Sequence, residues 1–288
     1  MIVTTKQKAV IFALLSALSM SIMASLVKLT VSYTTNNMTV FFRFAISFIY
    51  IIIIIIIKKL RGDALPHKTQ HICLHILRAI FSVTAMIMFY YALRYIPLVN
   101  GNLLLMTNAL FIPILAFLIF HSTTDLTHWT AVIIGFIGVI LVLNPSNTIF
   151  NPVNLIALGA GLISAFALMT IRALSKYDSA HTSMFYYFSL ACIFSGITAI
   201  FNWQTPNLHT LILLICVGIF GTCYQEFLTR ALQYASSKII SSLLYTSIVF
   251  SGIIGLVTWQ ETPKPLVTIG IILVCLSGFL TIKFAKIK

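Results

Sequence analysis

The chain has 288 residues, of which only 8% are Asp, Glu, Lys or Arg, against about 25% in ordinary soluble domains. Hydrophobic residues make up 60% of it, and the mean hydropathy is +1.05. So few charges cannot cover a water-exposed surface, which excludes a soluble globular enzyme and a disordered chain. The net charge of +13 comes from basic residues in short gaps between apolar runs, which indicates membrane topology rather than nucleic-acid binding.

Ten apolar runs follow one another, each close to the roughly 20 residues that a helix needs to cross a bilayer. The gaps between them carry turn-forming residues and leave no room for a soluble domain. The first run is interpreted as a retained helix rather than a signal peptide. The sequence therefore predicts an all-α integral membrane protein with ten transmembrane helices, at about 9–32, 39–57, 72–93, 98–120, 129–146, 153–174, 182–202, 208–232, 239–259 and 266–284.

The basic residues predict the orientation of these helices, because Lys and Arg are enriched in cytoplasmic loops. With the N-terminus in the cytoplasm, the opposite side receives only Arg94 and Lys264. Both termini are therefore predicted to be cytoplasmic. The cytoplasmic side then carries Lys6, Lys8, Lys58, Lys59, Arg61, Lys68, Arg172, Lys176, Arg230, Lys238, Lys283, Lys286 and Lys288.

The two halves of the chain resemble each other. Residues 13–44 align without a gap to residues 157–188, and residues 92–95 align to 231–234. Matching pairs include Lys28 with Arg172, Tyr33 with Tyr177, Phe41 with Phe185, and Phe44 with Phe188.

Residues 1–147 and 148–288 therefore form two repeats of five spans each. Because five is odd, the second repeat must enter the bilayer from the side opposite to the first. Two inverted halves can enclose a site near the membrane midplane that opens to either face. This pattern favours a carrier over an enzyme or an anchor.

Short motifs in a fixed order across the ten spans resemble the drug/metabolite transporter superfamily, specifically its EamA-domain family. These motifs are Lys28 and residues 41–44, 77–81, 91–98 and 135–139. Residues 75–78, 135–138 and 150–152 are also similar to the S-adenosylmethionine uptake subgroup. The resemblance implies a multi-pass carrier of small metabolites in a bacterial inner membrane, driven by protons or by exchange.

One position departs from the family's pattern. The family usually has a Glu at the end of the fourth and ninth spans, and the ninth keeps it as Glu261. The fourth span ends in His121 and Ser122, with Asp125 three residues further on. Which of these three replaces the missing Glu stays open, so a role that needs two symmetric carboxylates is in doubt.

These features predict a secondary active transporter of a small organic metabolite, such as S-adenosylmethionine or an amino acid, working by alternating access. The alternatives are an efflux carrier of the same fold and, from other classes, a lipid-modifying membrane enzyme or a non-transporting scaffold. No ATP-binding loop or metal-ligand cluster occurs in the sequence, so no cofactor or metal is expected. The expected partners are the substrate and the bilayer. Coupling to protons or a counter-substrate and assembly as a homodimer are left open.

Charged residues inside the spans are the first candidate site residues, since a charge in the bilayer needs a partner or a wet cavity. Lys28 and Arg43 lie near the periplasmic ends of their spans, and Glu261 lies at the same level. We expect Glu261 to neutralise this cluster until an anionic substrate group competes for it. The alternative is that Lys28 and Arg43 extend to the interface without a ligand.

Arg78 and Glu226 form a second predicted pair. Each lies about six residues from the cytoplasmic end of its span, and the two spans are equivalent in the repeat. Glu226 is the only acidic residue well inside a span and is the candidate for proton coupling. A purely structural ion pair with Arg78 is the alternative.

Uncharged polar residues concentrate in the fourth and ninth spans. Asn102, Asn108 and Tyr245 are the candidates for hydrogen bonds to a substrate, although such residues also bond between helices. The histidines of the second cytoplasmic loop, including His75, are expected to lie on the surface.

Overall fold

The computed structural model describes residues 5–62, 68–120, 126–143, 152–234, 240 and 243–283. Each of the ten predicted spans contains a helix, with α4 and α5 together forming the fourth, so the all-α prediction is confirmed. The helices are α1 (Thr5–Thr30), α2 (Asn36–Arg61), α3 (Ile72–Leu93), α4 (Leu98–Met106), α5 (Asn108–Phe120), α6 (Leu126–Leu143), α7 (Pro152–Leu174), α8 (Ala180–Ile200), α9 (Leu208–Tyr234), α10 (Thr246–Trp259) and α11 (Pro265–Lys283).

The described helices have the length and the outer surface of membrane spans. Seven of them, counting α4 and α5 as one, are long and apolar enough to cross a bilayer, while α6, α10 and α11 contain shorter apolar stretches. Large apolar side chains point outward along the bundle. In the isoleucine-rich half of α2, for example, Ile53, Ile56 and Ile57 are 40–53% exposed. Lipid tails are the solvent that such a surface requires.

Local capping fixes several helix ends. Thr35 and Ser179 precede α2 and α8, and their hydroxyls accept hydrogen bonds from the backbone N–H groups of Met38 and Thr182, the usual role of such N-cap residues. At the other end of α2, Gly62 has a φ of 72°, which ends the helix without a steric penalty. These caps set where the short connections begin.

The halves are intertwined rather than separate. α1 packs mainly against α9, and α7 packs mainly against α3. The sequence repeat predicts that α1 is equivalent to α7 and α3 to α9. On that basis the α1–α9 contact and the α7–α3 contact are equivalent, one formed by each half's first helix. The contacts of α2 with α9 and of α3 with α8 are related in the same way, while α2–α8 and α6–α11 are contacts between equivalent helices. Most of the buried surface therefore lies between the halves.

The bundle has two ends, which differ in charge. The end that holds the α1–α2 connection is called here the Lys28 end, and the end that holds the α2–α3 connection is called the His75 end. Among the described residues outside the bundle interior, the Lys28 end carries Arg94 and Lys264. The His75 end carries Lys8, Lys58, Lys59, Arg61, Lys68, Arg172, Lys176 and Arg230.

α6 and α11 approach each other at two glycines. A β-carbon on Gly138 would lie 2.7 Å from the carbonyl oxygen of Gly270, and one on Gly270 would lie 2.6 Å from that of Gly138. Real β-carbons do not approach backbone oxygens so closely. The absence of side chains at this crossing therefore sets the distance between the two helices.

We predict that Gly138→Ala destabilises the protein, because the new methyl group must push α6 away from the α11 backbone. The expected cost is about 1–3 kcal/mol, typical of overpacking. Gly252→Ala is the matched control, since its nearest neighbour is a Val99 methyl group at 3.7 Å. Thermal unfolding in detergent measures both variants, and equal melting temperatures would contradict the close contact.

Candidate functional site

Lys28 and Glu261 form a half-buried ion pair at the Lys28 end. The Lys28 ammonium contacts Glu261 Oε1 and donates a further hydrogen bond to the carbonyl oxygen of Ile96, at 3.0 Å. It also lies over the Trp259 ring, 5.3 Å from the centroid. The two charged side chains are 14% and 17% exposed. The structure thus brings together two of the three residues expected in this cluster.

The backbone around Glu261 aims its carboxylate into the bundle. α10 ends at Trp259, and Gln260 has a φ of 54°, in the left-handed region that residues other than glycine rarely adopt. The Glu261 N–H then donates to the carbonyl oxygen of Gly255, which closes the helix end. Glu261 Oε2 accepts a 2.8 Å hydrogen bond from the Leu98 N–H at the start of α4. A carboxylate is favoured at such a helix N-terminus.

Arg43 does not join this ion pair, which differs from the prediction. Its side chain is fully buried, and none of its three guanidinium nitrogens has a hydrogen-bond partner in the part of the chain that the structure describes. The guanidinium lies 4.3 Å from the centroid of the Phe44 ring. The Tyr90 hydroxyl approaches the guanidinium to the margin of hydrogen-bonding range, and Tyr224 interacts with it electrostatically, but neither contact reaches the distance and angles of a complete hydrogen bond.

The predicted pairing of Arg78 with Glu226 is wrong. Arg78 is 2% exposed and donates to the Ser183 hydroxyl at 2.7 Å and to the Ser183 carbonyl oxygen at 3.3 Å. Its guanidinium lies over the Tyr187 ring, 4.2 Å from the centroid. The side chain thus points towards α8 rather than α9, so equal depth in equivalent spans does not bring the two charges together.

Glu226 lies instead in an open cleft at the His75 end. Its carboxylate accepts a 2.7 Å hydrogen bond from Arg230, one turn along α9, and the Tyr50 hydroxyl lies beside it. Two adjoining cavities of about 210 and 280 Å³ share Glu226, Arg230, His181 and Met184. Lys58 and Arg61 also line the smaller one. Glu226 is therefore reachable from solution at this end.

A second buried pair, at the His75 end, was missed by the sequence analysis. His75 is fully buried, not on the surface as expected, and its Nε2 lies 2.9 Å from Asp178 Oδ2. The same oxygen accepts a 2.7 Å hydrogen bond from Thr69, and the His75 ring stacks on Tyr186. Only the folded bundle brings the start of α3 to the α7–α8 connection, so no sequence spacing indicates this contact.

Asn102 belongs to a polar seam where α1, α4 and α10 meet. Its side-chain amide donates to the Ser247 carbonyl oxygen at 3.1 Å and to the Ser251 hydroxyl at 2.6 Å. Ser21 donates to the same carbonyl oxygen at 2.8 Å. All of these side chains are buried, so in this conformation the amide N–H groups of Asn102 bond helices to one another. Its Oδ1 atom has no partner.

Asn108 and Tyr245 lie at matching breaks in the fourth and ninth spans. The helix of the fourth span is interrupted at Thr107, and α10 begins directly after Tyr245. Asn108 donates to the Ser164 hydroxyl at 3.2 Å. The Tyr245 hydroxyl is buried without a partner. His121, Ser122 and Asp125 fall outside the described residues.

Removing one member of the Lys28–Glu261 pair leaves the other charge half-buried and unpaired. We predict that Lys28→Met lowers the free energy of unfolding by roughly 3 kcal/mol. Glu261→Gln added to Lys28→Met restores much of that loss, because no charge then stays unpaired. Chemical denaturation of both variants and of Glu261→Gln alone completes a double-mutant cycle. Additive effects of the two substitutions would contradict a direct ion pair.

Comparisons with known proteins agree on one family. The EamA-like transporter family matches residues 7–144 and again residues 151–283. A riboflavin transporter of Vibrio cholerae is 28% identical over 81% of this chain and 79% of its own length. A pseudopaline exporter of Pseudomonas aeruginosa is 24% identical over 95% of both chains. An S-adenosylmethionine uptake transporter of Rickettsia prowazekii is 26% identical over 68% of this chain and 67% of its own length.

A solved crystal structure shares the fold. It superposes with a TM-score of 0.68 at 14% identity and covers 99% of this chain and 100% of that one. The family match extends over almost the entire sequence, in agreement with the ten helical spans. The chain belongs to the EamA-like transporter family of the drug/metabolite transporter superfamily.

Proposed function

We propose that this protein is a secondary carrier that moves a small organic metabolite across the bacterial inner membrane by alternating access. Family membership supports carrier activity, and its relatives are named for transport of riboflavin, pseudopaline and S-adenosylmethionine. Those names include both uptake and export. We therefore propose that the gradients of the substrate and of any coupled ion set the direction of net transport. Proton coupling and exchange are the two energy sources consistent with such a cycle.

The observation that carries this proposal is a pair of buried contacts at opposite ends of the bundle. Lys28 of the first half meets Glu261 of the second at one end. His75 of the first half meets Asp178 of the second at the other. A carrier must close one end while it opens the other, and contacts that join the two halves at each end are suited to act as gates.

The two halves are proposed to be inverted repeats, residues 1–147 and 148–288. The separate family matches to residues 7–144 and 151–283 support two repeats. The paired helix contacts support inversion, and so do two aromatic contacts. Tyr33 packs against His209 at the Lys28 end, and its sequence equivalent Tyr177 packs against His71 at the His75 end. An inverted two-fold arrangement predicts such a pair at each end.

The His75 end is proposed to face the cytoplasm, with both termini on that side. The excess of Lys and Arg at this end supports the assignment. Glu226 then lies in a cleft open to the cytoplasm, where it can exchange protons with water, and it stays the proposed coupling residue. Asn102, Asn108 and Tyr245 are buried between helices. They are proposed to reach a substrate only when the helices that bury them separate.

Transport in sealed liposomes tests the proposal directly. Purified protein is expected to accelerate the uptake of at least one labelled solute from a panel of riboflavin, S-adenosylmethionine and the amino acids. Protein-free liposomes and liposomes with Lys28→Met protein are the controls. A panel in which no solute crosses faster than in protein-free liposomes would contradict carrier activity.

We also predict that tethering the gate at the Lys28 end stops transport. Lys28→Cys with Glu261→Cys, in a protein whose five native cysteines are replaced, is treated with a short cleavable thiol cross-linker. Transport is expected to fall at least roughly tenfold and to recover on cleavage, because alternating access needs this contact to open.

Asn36→Cys with Arg94→Cys is the matched control. Arg94 donates to Asn36 Oδ1 at 2.6 Å at the same end of the bundle, but both residues belong to the first half. Cross-linking them is expected to leave transport unchanged. Continued transport by the tethered Lys28–Glu261 pair would mean that this contact does not open during the cycle.

A further inference from the structure

A fully buried arginine, to which the described residues provide no counter-ion, lies in the interior of the bundle. Arg43 is the largest side chain among those with less than 2% exposure, and its Nε, Nη1 and Nη2 atoms all lack a hydrogen-bond partner. The described carboxylates contact Lys28, His75 and Arg230 instead. A guanidinium carries five N–H donors and stays charged, so this one has an unmet need for an acceptor.

Aromatic rings surround this guanidinium from four helices. Phe44 of α2 and Tyr187 of α8 meet edge to face, with centroids 5.8 Å apart. Tyr90 of α3 and Tyr224 of α9 are near enough to interact electrostatically with the guanidinium. Arg43 and these four rings are called here the arginine–aromatic cluster. Each of the contributing helices packs against the opposite half of the chain, so the cluster lies where the halves meet.

A glycine on α9 lets the Arg43 side chain pack directly against the helix backbone. A β-carbon on Gly221 would lie 3.0 Å from Arg43 Cγ and 3.2 Å from Arg43 Nε. It would also lie 3.2 Å from the sulfur of Met23 on α1. At this point the Arg43 side chain therefore lies against bare α9 backbone, with the Met23 sulfur nearby, rather than against an acidic residue. These neighbours can move or be displaced without breaking a hydrogen bond to Arg43.

The energetics of this arrangement point to a missing anion. Burying a charge without a partner costs several kcal/mol, and contact with an aromatic face returns only about 1–2 kcal/mol of it. A structural arginine normally has carboxylate or carbonyl acceptors on its donors, as Arg78 has in Ser183. Binding sites, by contrast, commonly keep a charge unsatisfied until the ligand arrives.

We propose that Arg43 binds the carboxylate or phosphate of a substrate that also carries a planar ring. The guanidinium fork matches either anion with two parallel hydrogen bonds. The rings of the arginine–aromatic cluster offer faces and edges on which a planar group can stack. Arg78, which lies over the Tyr187 ring of this cluster, provides a second cation nearby. This inference rests on the proposed carrier function and adds the chemical class of its substrate.

The site lies between the two proposed gates. Arg43 is about 10 Å along α2 from the Lys28 end, and Arg78 is about 9 Å along α3 from the His75 end, at 1.5 Å per helical residue. An anion bound to Arg43 is thus enclosed by Lys28–Glu261 on one side and His75–Asp178 on the other. Within each proposed gate, the two residues already contact each other. The anion binds Arg43 and Glu261 binds Lys28, so the anion and Glu261 need not compete for the same cation.

The first test is the stability of the empty protein. If Arg43 lacks a partner, Arg43→Met removes an uncompensated charge and keeps the apolar contacts of the side chain. The melting temperature in detergent is expected to rise by roughly 2–4 °C. Arg172→Met is the control, because it removes one exposed charge from α7 and is expected to change the melting temperature by less than about 1 °C. A clear fall for Arg43→Met would overturn the premise.

The second test compares acids with their neutral counterparts. The probes are indole-3-acetate with indole-3-acetamide, nicotinate with nicotinamide, and riboflavin 5′-phosphate with riboflavin, all at fixed ionic strength. At least one acid is expected to raise the melting temperature of the wild-type protein by roughly 3 °C or more. Its neutral partner is expected not to do so. The shift should vanish in Arg43→Met and persist in Arg172→Met.

Three outcomes would overturn this inference: equal stabilisation by acids and neutral partners, no stabilisation by any acid, or a shift that survives Arg43→Met. The liposome assay separates it from the proposed function. Transport that does not depend on Arg43 would refute the substrate class and leave the carrier intact. Binding of acids that depends on Arg43, with no solute moved across the bilayer, would refute the carrier and leave the anion site.

Discussion

The need to give every buried charge a partner shapes the interior of this bundle. A bilayer offers no water to a charged side chain, so each one must meet an opposite charge, a polar group or a wet cavity. Lys28 meets Glu261, His75 meets Asp178, and Arg78 meets Ser183. Glu226 lies in a cleft with Arg230. Arg43 is the buried cation for which the described residues provide no acceptor, and this exception points to a ligand.

The Lys28–Glu261 and His75–Asp178 contacts connect residues that are far apart in sequence, and both contacts cross between the halves. Their formation therefore depends on how the halves pack, and any movement of one half against the other changes them. The same intertwined packing puts α2, α3, α8 and α9 around Arg43. The proposed gates and the proposed anion site thus depend on one interface, which is the arrangement that the proposed alternating access needs.

Residue types and depth predicted part of the site. Lys28 and Glu261 share a level at one end, and the structure brings them into contact. The same reasoning placed Arg43 with them and Arg78 with Glu226, and both placements fail. Depth along a helix gives the height of a residue but not the direction of its side chain. Rotation about the helix axis, which packing alone sets, sends Arg43 towards α9 and Arg78 towards α8.

The sequence by itself determined the membrane class, the ten helical segments and the family, because hydropathy, segment length and ordered motifs are properties of the chain read locally. It also identified the few charged residues that lie inside the spans. Only the tertiary structure decided their partners. The His75–Asp178 contact and the unpaired state of Arg43 arise where helices from different halves meet. Such contacts depend on helix rotation and packing over long separations in the chain, for which local sequence patterns carry no signal.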